Sequence, residues 1–156
     1  MNESSIEVAN EILIPQIISL LEEGHTVTLK VKGFSMRPFL EDNRDKVLLG
    51  KAENPKAGDA VLAEIAPGRF VLHRLIALNG NNATLRGDGN LSNEYCKRDD
   101  IHGIALGFYR KGRETMDSCE GRKWKVYSAI WTRLYPIRRY ILGIYRRLIK
   151  YKIYTP

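Results

Sequence analysis

The sequence predicts an α/β protein with a mainly β core, a folded sheet or small barrel, flanked by an N-terminal helix and a basic helical tail. Apolar residues recur at helical spacing near the start of the chain, and short alternating segments separated by turn residues fill its middle. A basic, aromatic segment with helical periodicity follows. With 156 residues, the chain has the length of one domain with an appendage.

The first predicted element is a helix over residues 4–23. Its apolar residues lie three and four positions apart, Gly24 is suited to end it, and Pro15 is expected to bend or break it. The segment opens with acidic residues, unlike a secretory signal peptide, and no segment has the ~18 uninterrupted apolar residues of a spanning helix. We therefore expect a cytoplasmic protein, with a peripheral position on the inner face of the membrane as the alternative.

Short strands separated by turns are predicted between residues 26 and 110. Val27, Leu29 and Val31 alternate with polar residues in the first of them, and a Pro-Gly pair at 67–68 marks a hairpin turn. Short strands with turns at close intervals favour a small barrel or folded sheet. The predicted strands cover residues 26–32, 46–49, 60–66, 69–78, 83–86 and 101–110.

Charge separates the last third of the chain from the rest. Residues 110–156 hold 13 Lys/Arg and 3 Asp/Glu, whereas residues 1–109 have a net charge of −3. Two cysteines without a CxxC pair exclude a disulfide-rich secreted scaffold. The predicted organisation is an N-terminal helix (1–24), a β domain (25–110), a polar linker (111–123) and a basic amphipathic tail (124–156) that Pro136 divides into two helical pieces.

The apolar residues of the tail fall within an arc of about 100° on a helical wheel, and its basic residues lie around the other side. This pattern is typical of a helix on an anionic membrane surface, and also of a helix that docks its apolar stripe onto the rest of the protein or a partner. Nucleic acid is disfavoured because no helix-turn-helix pattern is found. The arc consists of Ile130, Leu134, Ile137, Ile141, Ile144, Tyr145 and Leu148.

Three features of the β-rich middle indicate hydrolytic chemistry. Ser35 lies in a turn directly after a predicted strand, a position that suits a nucleophile because nearby amides can bind an oxyanion. His73 lies on a strand among apolar neighbours, where a neutral imidazole could accept a proton. Asp88, in a Gly-Asp-Gly-Asn turn, and Asp99 or Asp100 beyond it offer a carboxylate that could orient the histidine. Taken singly, each feature has an ordinary structural explanation.

The acidic residues of this region could also suggest a calcium loop. Asp88, Asn90, Ser92 and Asp99 fall at ligand positions of an EF-hand, but Asn93 occupies the position of its invariant glycine. The flanking segments also read as strands instead of helices. We therefore expect neither a metal nor a cofactor.

Five short motifs follow one another along the β-rich middle: GFSMRP at 33–38, GDAV at 58–61, HR at 73–74, GDGN at 87–90 and DIHG at 100–103. In order and spacing, these motifs resemble the type I signal peptidases and their LexA-like relatives over residues 26–109. The bacterial signal peptidases and LexA use lysine where this chain has His73, whereas the endoplasmic-reticulum-type branch uses histidine. The resemblance therefore implies a signal-peptidase-like fold and a serine endopeptidase in which Ser35 is the nucleophile and His73 the general base.

The resemblance also implies roles for the neighbouring residues. Asp88 matches the aspartate of the family's G-D-x-N motif, and Asp99 or Asp100 matches its second acidic position, with the choice between these two left open. An extended peptide or protein with small residues before the cut is the implied substrate. The residues expected to contact it are Phe34, Met36 and Pro38.

The leading hypothesis is an endopeptidase that cuts a leader or signal-like segment. Signal peptidases carry a membrane-spanning anchor, commonly just before the serine box, and residues 1–24 are too short and too acidic to be one. One alternative is a LexA-like module that cleaves itself or a fused partner, although residues 1–24 are also too short for the usual DNA-binding domain. The other is a non-catalytic peptide-binding module of the same fold.

Overall fold

In the computed structural model, which describes residues 10–154, eight strands form one curled antiparallel sheet accompanied by three α-helices. The fold is mainly β, as the sequence predicts, with helices before and after the sheet. No helix among these residues is long and apolar enough to cross a membrane. The helices are α1 (Asn10–Glu22), α2 (Arg122–Arg133) and α3 (Arg138–Tyr154).

The sheet has the order β1-β2-β7-β3-β4-β5-β6, with β8 paired to β7. Its curl brings β6 close to β3, although the two do not pair as strands. The strands are β1 (Val27–Lys30), β2 (Lys46–Lys51), β3 (Ala60–Ala66), β4 (Arg69–Asn79), β5 (Asn82–Arg86), β6 (Glu94–Lys97), β7 (Ile101–Tyr109) and β8 (Met116–Ser118).

The N-terminal helix agrees with the prediction over its described part, while residues 4–9 lie outside the described residues. Pro15 does not break α1, which continues to Glu22. Pro15 lies on the exposed side, whereas Ile17 and Leu21 are buried against the sheet. The carbonyl group that loses its partner to the proline can therefore face water, and packing of the opposite side outweighs the lost hydrogen bond.

Two strands were not predicted, and both are short and polar. β6 forms a hairpin with β5, and β8 lies within the segment predicted as a linker. Neither has the apolar alternation that marks a half-buried strand, so pairing with a neighbour, and not local pattern, defines them. The division of the tail is confirmed, because the short 3₁₀ turn Tyr135–Ile137, which contains Pro136, separates α2 from α3.

The main core joins α1, the loop after β1, several strands and α2. Phe39, from the loop after β1, meets Phe108 of β7 with ring centroids 5.3 Å apart and Trp124 of α2 with centroids 4.9 Å apart. Trp124 is buried in this cluster together with Ile17 and Leu21 of α1. The first helix of the tail is therefore part of the main core. A smaller apolar cluster that includes Val61, Leu75, Leu85 and Ile101 forms elsewhere in the sheet.

Replacing Trp124 tests whether α2 belongs to the core. Trp124→Ala should lower the free energy of unfolding by about 3–5 kcal/mol, because it leaves a cavity among packed aromatic rings. Val126, in the same helix, is mostly exposed, so Val126→Ala should change the free energy of unfolding by about 0.5 kcal/mol or less. Urea unfolding followed by circular dichroism gives both values. Equal, small effects of the two substitutions would mean that α2 does not contribute to the core.

Candidate active site

Ser35 lies in the loop of residues 31–45, which connects β1 to β2. It is the second residue of a turn in which the Arg37 amide donates to the Phe34 carbonyl at 3.2 Å. Met36 and Phe39 point into the core and fix the loop from below. The Ser35 side chain is consequently held by backbone geometry at a partly exposed position.

The far end of this loop is held by Asp45, which is fully buried. Its carboxylate accepts hydrogen bonds from the Glu41 amide at 2.9 Å, the Lys111 amide at 3.0 Å and the Arg44 guanidinium at 2.7 and 2.9 Å. Burial alone would raise the pKa of Asp45, but these donors hold it below its ordinary value. An ionised carboxylate therefore fastens the serine loop to the segment after β7.

The turn after β5 touches the serine loop backbone to backbone. The Gly89 amide donates to the Ser35 carbonyl at 2.7 Å. A Cβ at Gly87 would overlap the same Ser35 carbonyl oxygen, and one at Gly89 would lie 2.5 Å from the Phe34 carbonyl oxygen. Glycine is required at both positions because no side chain fits between the two segments.

Strand register brings His73 to the same place. Arg74 of β4 pairs with Arg86 of β5, so continuing the register by one residue sets His73 across from Gly87. Side chains of such cross-strand pairs share a face, with Cβ atoms roughly 4.5–5.5 Å apart. The Ser35 carbonyl fills the space that a Gly87 side chain would occupy. By this extended register, the Ser35 carbonyl lies on the face of the sheet to which His73 points.

The carboxylate next to His73 is that of Glu94, at the start of β6. Its Oε2 lies 2.5 Å from His73 Nδ1, in an ion-pair contact that is not aligned as a straight hydrogen bond. Leu75 pairs with Leu85, and Leu85 pairs with Glu94. Leu75 and His73 are two residues apart on one strand and share a face, so the register places Glu94 on the same face as His73.

The environment of His73 favours a neutral imidazole. Burial lowers its pKa below the ordinary value of 6.5, and the charge of Glu94 offsets part of that effect. A carboxylate at Nδ1 favours the tautomer with its proton on that nitrogen, which leaves Nε2 as the basic atom. Within residues 10–154, Nε2 makes no hydrogen bond. The histidine can thus accept a proton there.

Asp88, the first choice from the sequence for a partner of His73, is bound elsewhere. Its two carboxylate oxygens each lie 2.8 Å from a nitrogen of Arg74, and both residues are fully buried. Tyr127 of α2 donates its hydroxyl to the same carboxylate at 2.7 Å, and the Trp131 indole donates to the Asp88 carbonyl at 3.0 Å. Asp88 therefore anchors the glycine turn to the sheet and to the tail.

Arg74 extends this connection to two other segments. Its Nη1 donates to the Gly58 carbonyl at 3.0 Å and to Ser128 Oγ at 2.6 Å, and its guanidinium stacks over the Trp124 ring, 4.6 Å from the centroid. Burial opposes the charged form, but the bonds to Asp88 outweigh it and raise the pKa of Arg74. The arginine stays charged and joins β4, the turn before β3 and α2.

The two other acidic candidates lie in the turn between β6 and β7. Asp100 accepts a hydrogen bond from the Lys97 amide at 2.8 Å and so closes the short 3₁₀ turn Arg98–Asp100. Asp99 is exposed in the same turn. No contact between either carboxylate and His73 is found among the described residues.

The three residues expected to contact substrate differ in exposure. Phe34 is 57% exposed, and the Arg37 guanidinium lies over its ring at 4.1 Å. Pro38 is partly buried. Met36, by contrast, is buried in the main core and is 2% exposed. Of these three residues, Phe34 and Pro38 therefore have exposed surface close to Ser35 in the chain.

Glu94 is the site residue that sequence reasoning missed. Residues 94–97 show no apolar alternation, so no strand was predicted there and the carboxylate was not assigned a face. Pairing of this segment with the predicted strand at 83–86 would have placed Glu94 beside His73. That hairpin is the signal that could have found it.

The chain matches no protein-family model, and no curated protein matches it significantly. Among the described residues, no three His, Cys, Asp or Glu side chains lie close enough to hold a metal ion. Inferences about function therefore rest on the serine loop, the glycine turn, and the His73–Glu94 and Arg74–Asp88 pairs.

Asp88→Asn should destabilise the protein strongly. It leaves the charge of Arg74 buried without its counter-ion, and breaking a buried ion pair costs about 3–5 kcal/mol. Asp99→Asn is the matched control, because this exposed carboxylate should contribute about 0.5 kcal/mol or less. Urea unfolding of both variants is the measurement. Equal stabilities would show that the Arg74–Asp88 pair does not hold the fold.

Glu94→Gln should lower the pKa of His73 further. The negative charge of Glu94 stabilises the imidazolium form, so its loss shifts the titration to lower pH. Two-dimensional NMR of the imidazole carbons follows the titration directly. Glu64→Gln, which alters the carboxylate 3.8 Å from His102, is the control and should leave the His73 curve in place. A His73 pKa that is the same in wild type and Glu94→Gln would remove Glu94 from the site.

Proposed function

We propose that the chain is a serine endopeptidase of the type I signal peptidase and LexA-like kind, with Ser35 as nucleophile, His73 as general base and Glu94 as the group that orients the histidine. The observation that supports the proposal is the glycine turn at 87–89, which contacts the backbone of the Ser35 loop and, by the register of β4 and β5, lies opposite His73. The specific fold implied by the sequence motifs is part of the same proposal.

The first step uses the neutral histidine. Ser35 Oγ attacks the carbonyl carbon of the scissile peptide bond, and its proton passes to His73 Nε2. The buried site keeps the imidazole unprotonated before attack, while Glu94 stabilises the imidazolium that forms. Burial thus matters before the attack, when the histidine must be neutral, and the carboxylate at Nδ1 matters after the proton transfer, when the imidazolium has formed.

The negative oxygen of the tetrahedral intermediate needs hydrogen-bond donors. The amides of Ser35 and Met36 are the candidates, since neither donates a hydrogen bond within residues 10–154. Both lie in the turn that Arg37 closes on Phe34, so their directions are fixed before a substrate binds. Preorganised amides stabilise developing charge without a reorganisation cost during the reaction.

Breakdown returns the proton. His73 gives it to the leaving amine as the peptide C–N bond breaks, which leaves the acyl group as an ester on Ser35. Water then attacks the ester, with its proton passing to His73 Nε2, and the serine is released when the histidine returns that proton to Oγ.

An extended peptide is the proposed substrate class. Phe34 and Leu91 are each at least half exposed, one in the serine loop and the other just after the glycine turn. They provide apolar surface on both segments that meet at Ser35. The preference for small residues before the cut follows from the family resemblance and is part of the proposal.

Ser35→Ala should abolish cleavage of leader-like peptides without altering the fold. Loss of the nucleophile lowers the rate by several orders of magnitude, on the order of 10⁴-fold or more. Ser92→Ala, which removes an exposed hydroxyl in the neighbouring loop, should keep wild-type activity. Mass spectrometry of peptide mixtures detects the products, and thermal unfolding checks that both variants fold.

The same experiment separates the alternatives. A self-cleaving module would shorten its own chain while peptides stay intact, and a peptide-binding module would leave both unchanged. Cleavage by Ser35→Ala at the wild-type rate would rule out Ser35 as the nucleophile.

A further inference from the structure

Helix α3 carries an exposed apolar stripe. Ile137, just before the helix, and Tyr140, Ile144 and Leu148 within it are 49–65% exposed. At 100° per residue, these four positions fall within an arc of about 80°. Isolated exposed apolar residues are common on protein surfaces, but a continuous row along a helix indicates a surface that another apolar phase covers.

The structure buries one side of α3 and leaves another exposed. Leu142 is buried, and Ile141 and Tyr145 are partly buried. Ile144 and Leu148, at the edge of that side, are 60% and 63% exposed. One side of the helix therefore packs within the protein, and the stripe that remains has no cover among the described residues.

Every Asp, Glu, Lys or Arg in the segment that carries the stripe is basic. Residues 122–156 contain ten Lys/Arg and no Asp/Glu. Four of the basic side chains are exposed on α3: Arg139, Arg146, Arg147 and Lys150. A surface that is both apolar and positive complements an anionic lipid bilayer, in which acyl chains receive the apolar side chains and headgroups pair with the basic ones.

We propose that α3 is a peripheral membrane-binding helix that lies on an anionic bilayer, with Ile137, Tyr140, Ile144 and Leu148 at the level of the headgroups and upper acyl chains. A second copy of the chain fits less well, because pairing through α3 would bring two strongly positive segments together. Nucleic acid would satisfy the charge and leave the apolar stripe in water.

Membrane binding through α3 would also fix the position of the candidate active site. The preceding helix, α2, holds the Asp88 turn through Tyr127 and Trp131. Arg138, the first residue of α3, donates to the Trp131 carbonyl at 3.0 Å. A short series of direct contacts thus connects the lipid-facing helix to the turn that supports Ser35.

Vesicle cosedimentation of the full chain tests the proposal. We expect binding to vesicles of equal parts phosphatidylcholine and phosphatidylglycerol, little binding to phosphatidylcholine alone, and release at 1 M salt, where the Debye length falls to about 3 Å. The double variant Ile144→Ser/Leu148→Ser should bind at least about tenfold more weakly. Tyr95→Ser removes an equally exposed apolar side chain from β6 and should bind as wild type.

A second pair of variants tests the charge. Arg146→Gln/Arg147→Gln should weaken binding by about tenfold or more, on the scale of roughly 1 kcal/mol for each basic residue at an anionic surface. The control variant Lys51→Gln/Lys56→Gln, which removes two exposed charges from the β domain, should bind anionic vesicles as wild type does.

Unchanged vesicle binding by Ile144→Ser/Leu148→Ser, or equal binding of wild type to neutral and anionic vesicles, would overturn the proposal. So would a wild-type protein that does not bind vesicles and forms a dimer in size-exclusion chromatography, if the same double variant is a monomer. None of these measurements needs a peptide substrate, so failure here is distinct from failure of the peptidase proposal.

Discussion

The buried pair of Arg74 and Asp88 is the interaction on which the rest of the site depends. Both side chains are buried, and an unpaired charge in the protein interior costs several kcal/mol. Each of the two residues therefore requires the other. The ion pair fixes the glycine turn to β4, and the Gly89 amide of this turn donates a hydrogen bond to the Ser35 carbonyl. Because Tyr127 and Trp131 bind the same aspartate, the tail is held by this pair as well.

The sequence motif Gly-Asp-Gly has a physical explanation in this arrangement. The aspartate must point inward to reach Arg74, while both flanking glycines must lack side chains because the serine loop lies against them. His73 and Arg74 are adjacent, so alternation along β4 sends them to opposite faces of the strand. His73 pairs with the carboxylate of Glu94, whereas Arg74 turns toward the aromatic core and pairs with Asp88.

Local patterns predicted most of the elements but not the pairings between them. Alternation and turn residues located six strands and both helical regions, and Pro136 marked the break in the tail. The partner of His73 could not be found this way, since Glu94 reaches it only through the register of β4, β5 and β6. The same limit applies to α3. A helical wheel shows an apolar arc, but tertiary packing decides that Tyr145 is partly buried and Ile144 is exposed.

The central claim is that Ser35 and His73 act as one catalytic unit, and a double-mutant cycle tests it most directly. Values of kcat/KM for a cleaved peptide are measured for wild type, Ser35→Ala, His73→Ala and the double variant. Residues that act in the same step are non-additive. The account predicts that the double variant is no slower than the slower single variant. Losses that multiply in the double variant would show that the two residues act independently and would contradict it.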